Sequence, residues 1–173
     1  LEDLAFKYAD HKDYEWVLEL EADRVHKKEE HLEKAKVAID QILKANGFEN
    51  YSIHGRVKHL YSLYQKLLRY DRDINKIYDL VALRIIVPSV SDCYAVLGLI
   101  HQRWTPLKGR IKDYIAQPKP NGYQSLHTTI FCDDGEVVEF QIRTQKMHEE
   151  AEFGVAAYWF YADEGHQSKK YDP

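Results

Sequence analysis

The chain has 173 residues, 45% of them apolar and 30% charged, with a formal net charge of −4. This bounds it to one domain, or a domain with a helical arm, large enough to bury a core. The acidic balance disfavours a polynucleotide partner, so any anion site must be a local concentration of cations. No apolar run approaches the roughly 20 residues of a membrane span, and no signal peptide is evident, so no membrane partner is expected.

Residues 13–46 read as one long helix. Leu18, Val25, Leu32 and Ile39 recur every seven residues, Ala22, Ala35, Ile42 and Leu43 fill the same side, and Glu and Lys crowd the other. Asn46-Gly47 supplies the stop. Glu29 and Lys36 break the second seam that a coiled coil needs, so the helix is expected to pack on its own domain. Tyr51 to Gly55 alternates like a short strand, with Gly55 marking a bend before a second helix over residues 57–70. Leu60, Leu63, Tyr64, Leu67 and Leu68 form its apolar face. Arg56, Lys58, Ser62 and Lys66 lie on or near its N-terminal half, where helix dipole and cations together attract phosphate. An ordinary amphipathic helix with solvated lysines gives the same pattern and is commoner.

Residues 80–87 are nearly all apolar and β-branched, the mark of a strand buried on both faces. Asp79 at its entry and Arg84 within it are costly to desolvate without partners. They can pair with each other. Five residues apart on a regular strand they point to opposite faces, which argues as well for a separate partner for each. Ser91-Asp92 reads as the N-cap of a helix to about Arg103, with Val96, Leu97, Leu99 and Ile100 inward and Trp104-Thr105-Pro106 as its end. Residues 126–132 and 136–143 read as a hairpin around Asp133-Asp134-Gly135. On its second strand Val138, Phe140 and Ile142 share one face, while Glu139, Gln141 and Arg143 share the other, which is wholly polar. Glu139 and Asp79 are expected to converge on one side of the sheet. A last helix is predicted over residues 144–162, with Met147, Ala151, Val155, Tyr158 and Trp159 as core.

The segment 108–127 is too rich in Pro, Gly and Asn for a helix or a central strand, yet carries Lys108, Arg110, Lys112, Lys119, Tyr123 and His127. Cations suit phosphate oxygens, the Tyr ring offers a stacking face, and Asn121 and His127 add directional hydrogen bonds. A solvated basic loop is the commoner origin of such a composition. Here Asn121-Gly122-Tyr123 leads directly into an alternating run, which sets the loop at the mouth of a strand and points to a nucleotide. Cys93 and Cys132 lack ligand spacing and read as reduced thiols of a cytoplasmic protein. The sole Met is Met147, so a piece of a longer protein, or a processed one, is expected.

Collected, the anomalies are the carboxylates Asp79 and Glu139, a cation set at Arg56, Lys58, Lys66 and Arg84, and a second set with Tyr123 in the loop. Two carboxylates without His or Cys beside them suit a hard ion, Mg²⁺, bridging substrate phosphates. No GxxxxGK[ST] loop, HD dipeptide, HExxH or GxSxG is present. The inventory fits transfer of a phosphoryl-type group between two nucleotides.

The segments Gly55-Arg56-Val57-Lys58, Tyr78-Asp79-Leu80-Val81-Ala82-Leu83-Arg84-Ile85, Asp113-Tyr114-Ile115, Pro118-Lys119-Pro120-Asn121-Gly122-Tyr123-Gln124-Ser125-Leu126-His127 and Glu139-Phe140-Gln141-Ile142-Arg143-Thr144, in this order, resemble the RelA/SpoT-type (p)ppGpp synthetases. The resemblance implies an α+β (mixed α/β) fold with a nucleotidyltransferase-like mixed sheet flanked by helices. Residues 1–50 would be a helical arm packed on a synthetase core of residues 51–173. It also implies transfer of pyrophosphate from ATP to the 3′-hydroxyl of GTP or GDP, releasing AMP, in stringent response signalling. Under it, Arg56 and Arg84 sandwich adenine, Lys58 and Lys66 hold the ATP phosphates, and Asp79 and Glu139 bind Mg²⁺. Glu139 is also the general base. Tyr123 stacks on guanine, with Lys112, Lys119, Asn121 and His127 around the acceptor and the transferred phosphates.

Arg110-Ile111-Lys112-Asp113 resembles the basic form of a charge motif found in bifunctional synthetase-hydrolases, which implies flanking hydrolase and regulatory domains in the parent and favours the more highly charged GTP. Tyr158 stands where the family usually has His. Two other readings are a catalytically silent guanine-nucleotide sensor, against which Asp79 and Glu139 argue, and a polynucleotide-modifying nucleotidyltransferase, which would need a basic track this chain lacks.

Overall fold

The computed structural model describes residues 2–57, 60–73 and 81–154. Lys58, Asp79, Val155, Tyr158 and Trp159 lie outside the described residues, as do the side chains of Ala22, Val25 and Leu60.

The long helix is α2 (His11–Ala45), preceded by a short α1 (Glu2–Ala9) that carried no sequence signal. The Asp10 side chain caps α2 by accepting from Asp13 N, and Gly47, at φ +80°, follows its end. Leu32, Ala35, Ile39 and Leu43 are buried as expected, but Leu18 points outward and Val17 takes its place. A seven-residue repeat drifts by about 20° per heptad on a straight helix. Over the three heptads back from Ile39 this turns Leu18 off the seam and brings Val17 onto it. The expected packing of α2 on its own domain holds, against β1 (Ser52–Val57), α3 (Leu60–Arg69) and β2 (Val81–Val87).

Two expectations around Gly55 are corrected. The strand does not bend there: β1 continues through Val57, so Arg56 is a strand residue paired with Ala82 and not part of a helix start. Gly55 is needed for space instead. A Cβ at this position would stand 3.3 Å from Leu32 Cδ2 of α2, so glycine lets the helix approach the sheet closely. Lys66 sits in the last turn of α3, at the carbonyl-bearing end and not the N-terminal half.

Helix α4 (Val90–Arg103) starts about two residues earlier than expected. Ser89, extended directly after Pro88, is the cap, accepting from Asp92 N at 3.1 Å and donating to Asp92 Oδ2 at 2.6 Å. Cys93, Val96 and Ile100 are buried, with Leu97 and Leu99 at the core's margin. The loop that follows contributes a two-residue strand, β3 (Lys112–Asp113), and the hairpin is β4 (Leu126–Phe131) and β5 (Val137–Thr144). Helix α5 (Gln145–Phe153) is capped by Thr144, whose Oγ1 accepts from Met147 N at 3.2 Å. It buries no residue, so Met147 and Ala151 are not core, contrary to expectation: only one side of α5 touches β2 and β5 and the rest faces solvent.

The strands form one mixed sheet in the order β1-β2-β5-β4-β3, with β2 and β5 parallel and the other pairs antiparallel. The expected α+β fold with a helix-flanked mixed sheet is the observed one. Register sorts the side chains into two faces. Leu83, Ile85, Phe140, Ile142, Leu126 and Ile130 share the face covered by α2 and α4 and form the core. The opposite face is polar and is met at one end by α5. Among the described residues no helix is long and apolar enough to cross a membrane.

Candidate active site

The polar face follows from strand alternation and register together. His54, Arg84, Gln141, His127 and Lys112 are successive partners across all five strands, so their side chains form one row. Arg56, Ala82, Glu139 and Thr129 form the adjacent row. Sequence-distant Arg56, Arg84, Lys112, His127 and Glu139 are thereby brought to one surface.

At its centre Glu139 Oε1 accepts from Gln141 Nε2 at 2.7 Å and lies 3.8 Å from His127 Nδ1. On the other side of the imidazole, Nε2 is 2.8 Å from the Tyr123 hydroxyl. Burial pushes the Tyr123 phenol up, against the pull of Arg143, a hydrogen bond with Ser125, and Arg56 and Arg84, so it stays protonated. That hydroxyl and His127 Nε2 share one hydrogen bond, in which either can donate. Tyr114 and Tyr123 both meet the His127 ring edge-on, with centroids at 5.3 and 5.8 Å. Lys119 Nζ stands over the Tyr114 and Tyr123 rings at 5.0 and 5.4 Å. Tyr123 is only 8% exposed, so little of its ring is open to solvent.

The loop is shaped by its own hydrogen bonds. Lys119 N donates to Tyr123 O and Gly122 N to Lys119 O, which closes a turn that holds Gly122 at φ +82°. Asn121 Oδ1 accepts from Tyr123 N at 3.0 Å, so that oxygen is committed to the turn. Asp113 Oδ1 accepts from Ile115 N and Ala116 N at 3.0 and 2.8 Å, while Tyr94 of α4 donates to Oδ2 at 2.8 Å. Burial pushes the Asp113 carboxyl up, but these three donors together outweigh it and leave it below its ordinary value.

The other end of the face is cationic. Burial, then repulsion from Arg143 and Arg56, brings Arg84 down to about 10, still fully charged at neutral pH. Arg84 Nη1 donates to Glu152 Oε1 at 2.9 Å, and Arg143 Nη2 donates to the same oxygen at 3.3 Å and to His148 Nδ1 at 2.7 Å. Arg84 Nε, Arg143 Nε and Gln141 Oε1 are buried without a hydrogen-bond partner among the described residues.

Gln141, Arg143, Tyr114 and Glu152 belong to this surface and were not expected as site residues. Gln141 and Arg143 could have been found by extending the Glu139 alternation by one and two steps. Tyr114 entered only as part of the Asp113-Tyr114-Ile115 motif, with no role, and Glu152 carried no signal, because both are placed by tertiary packing. Glu139 is a hard oxygen donor on the open side of the sheet and fits Mg²⁺ chemically. Among the described residues no three His, Cys, Asp or Glu side chains cluster closely enough to hold a metal, so an ion there would draw its remaining ligands from water, phosphate oxygens and Asp79.

The fold is that of the alarmone synthetases. A GTP pyrophosphokinase family protein from Streptococcus pneumoniae superposes with a TM-score of 0.62 at 25% identity, covering 91% of this chain and 81% of that one. Small alarmone synthetase 1 from Bacillus subtilis, bound to its product pppGpp, superposes at 0.60 with 26% identity over 78% of this chain and 77% of that one. Residues 55–166 match the region found in RelA / SpoT proteins, and the chain belongs to that family. It is 49% identical to a GTP pyrophosphokinase of Streptomyces coelicolor over 95% of its own length, and 44% identical to the bifunctional (p)ppGpp synthase/hydrolase RelA of Mycobacterium tuberculosis over 94%. It spans about a fifth of either relative, 19% and 22%.

Proposed function

We propose that this chain is the (p)ppGpp synthetase region of a longer cytoplasmic RelA/SpoT protein acting in the stringent response, with residues 1–50 as a helical arm and 51–173 as the core. The observation that carries the reading is the single polar face on which Glu139 stands between the Arg56/Arg84 end and the Tyr123–His127–Lys119 loop. Relatives named GTP pyrophosphokinase, and a structural neighbour holding pppGpp, support it. The relatives' greater length, with hydrolase activity in the name of one, supports flanking hydrolase and regulatory regions.

The reaction needs two nucleotides side by side. Arg56 and Arg84 stack on the adenine of ATP through their guanidinium faces, with Lys58 and Lys66 on its phosphates. Lys112, Lys119, Asn121, Tyr123 and His127 hold the guanosine acceptor, with Tyr123 against guanine. Release of AMP requires that the 3′-oxygen bond to the β-phosphorus of ATP while the bond from that phosphorus to the α–β bridging oxygen breaks. Glu139 takes the 3′-hydroxyl proton, with the His127 ring 3.8 Å from its carboxylate. Asp79 and Glu139 would hold Mg²⁺, which when bound neutralises phosphate charge. Most of the rate then comes from positioning two anions that repel each other.

The test is AMP release by the full-length protein from ATP with GTP, GDP or 3′-deoxy-GTP. Release that needs a guanosine nucleotide and disappears with the 3′-deoxy compound supports the reading. Binding of both nucleotides with no release by the intact, Mg²⁺-supplied protein overturns it in favour of a sensor.

A further inference from the structure

One oxygen of Glu152 serves two guanidinium groups, Arg84 at 2.9 Å and Arg143 at 3.3 Å. The Arg143 side chain is 1% exposed and that of Arg84 13%, so of the two only Arg84 can meet a ligand. Arg143 is itself fixed by His148, whose Nδ1 must accept because a guanidinium only donates. Behind Arg84, therefore, stands a second buried cation, and Glu152 is the carboxylate that neutralises both.

A tether for α5 is the plain explanation of this cluster. The Glu152 side chain is 41% exposed but both guanidinium groups are largely buried, so the contact does tie α5 to the sheet. Its geometry does something a tether does not need. A guanidinium donates only in its plane, from its rim, while its two faces are free to stack. A carboxylate on the Nη1 rim fixes the orientation of that plane and leaves the faces available. Without Glu152, Arg84 would be driven away from Arg143 and Arg56 by like charge, and its plane would be set by nothing among the described residues.

We propose that Glu152 is a positioning residue for the donor nucleotide: it holds the rim of Arg84, offsets Arg143 behind it, and so presents the Arg84 face to the adenine of ATP. This rests on the reading of Arg84 as a base-stacking residue.

The test uses the full-length protein with E152Q, R84A and the double variant, following kcat, KM for ATP, KM for GTP and the thermal midpoint. E152Q raises KM for ATP roughly three- to tenfold, leaves KM for GTP and kcat about unchanged, and adds nothing once Arg84 is gone. E152D, which keeps the charge, recovers part of the loss. A lowered thermal midpoint with KM for ATP unchanged makes Glu152 a tether only and overturns the proposal, as does strict additivity of E152Q and R84A. An R84A variant with normal KM for ATP instead overturns the stacking reading beneath it. Should E152Q not fold, E152D carries the test: its shorter side chain lengthens both contacts, and an unchanged KM for ATP would again refute positioning.

Discussion

Replacing Glu139 with Gln separates chemistry from architecture. The amide keeps an oxygen that can accept from Gln141 Nε2, now 2.7 Å away, and keeps the side chain's volume on the face. What it loses to folding is the step from a charge-assisted to a neutral hydrogen bond, about 1 kcal/mol. For a chain of this size that lowers the thermal midpoint by roughly 2–4 °C. What it loses to catalysis is larger. A general base contributes about 10²- to 10⁴-fold, or roughly 2.7–5.4 kcal/mol in the barrier, and the variant also loses its charge for Mg²⁺ and for His127 Nδ1 at 3.8 Å. E139Q should therefore melt close to the parent, bind ATP and guanosine nucleotides by calorimetry, and release AMP at least about a hundredfold more slowly at saturation. Turnover within about fivefold of the parent, with both nucleotides saturating, would remove Glu139 from the base role.

G122A places a β-carbon on a backbone held at φ +82°, costing about 1–2 kcal/mol; if the turn opens to relieve it, KM for the guanosine acceptor rises roughly fivefold or more while KM for ATP does not, and steady-state kinetics with each nucleotide varied will show which. The Asp113 carboxyl lies below its usual value in the folded chain, so its contribution is complete above the unfolded value near 3.8 and is lost as pH falls through the lower folded value. Hydrogen exchange at Ile115 and Ala116 should accelerate there, and an Asp113→Asn variant should show no such step. R110E together with K112D, which reverses the loop's charge where both side chains are exposed, should shift preference from GTP towards GDP in a direct competition assay.

How much of this was legible in the sequence depends on whether local pattern or long-range pairing decides the feature. The alternation Val138, Phe140, Ile142 against Glu139, Gln141, Arg143 set the two faces of β5 outright, and its apolar face lies on the side of the sheet that α2 and α4 cover. Arg56 was misplaced because Gly55 reads locally as a bend, whereas its lack of a side chain is needed by Leu32, 23 positions away on α2. The α2 seam was misjudged at Leu18 for a geometric reason, the drift of a heptad on a straight helix. Glu152 was invisible because an exposed carboxylate on a short polar helix is ordinary until Arg84 and Arg143 are known to lie beneath it. Arg84 itself was flagged by its cost: a guanidinium inside an apolar strand needs a partner or a function. Its partner among the described residues is Glu152 of α5; Asp79, five positions before it, lies outside them.

The central claim is that pyrophosphate moves as a unit from ATP to a guanosine 3′-oxygen on this face. Incubating the full-length protein with Mg²⁺, GTP or GDP, and ATP labelled at its terminal phosphate tests it most directly, with products separated and AMP measured in parallel. Label appearing on a more highly phosphorylated guanosine nucleotide, in equal amount to the AMP released, is the predicted result. Label released as free phosphate alongside ADP, or incorporated into a polynucleotide, would contradict it.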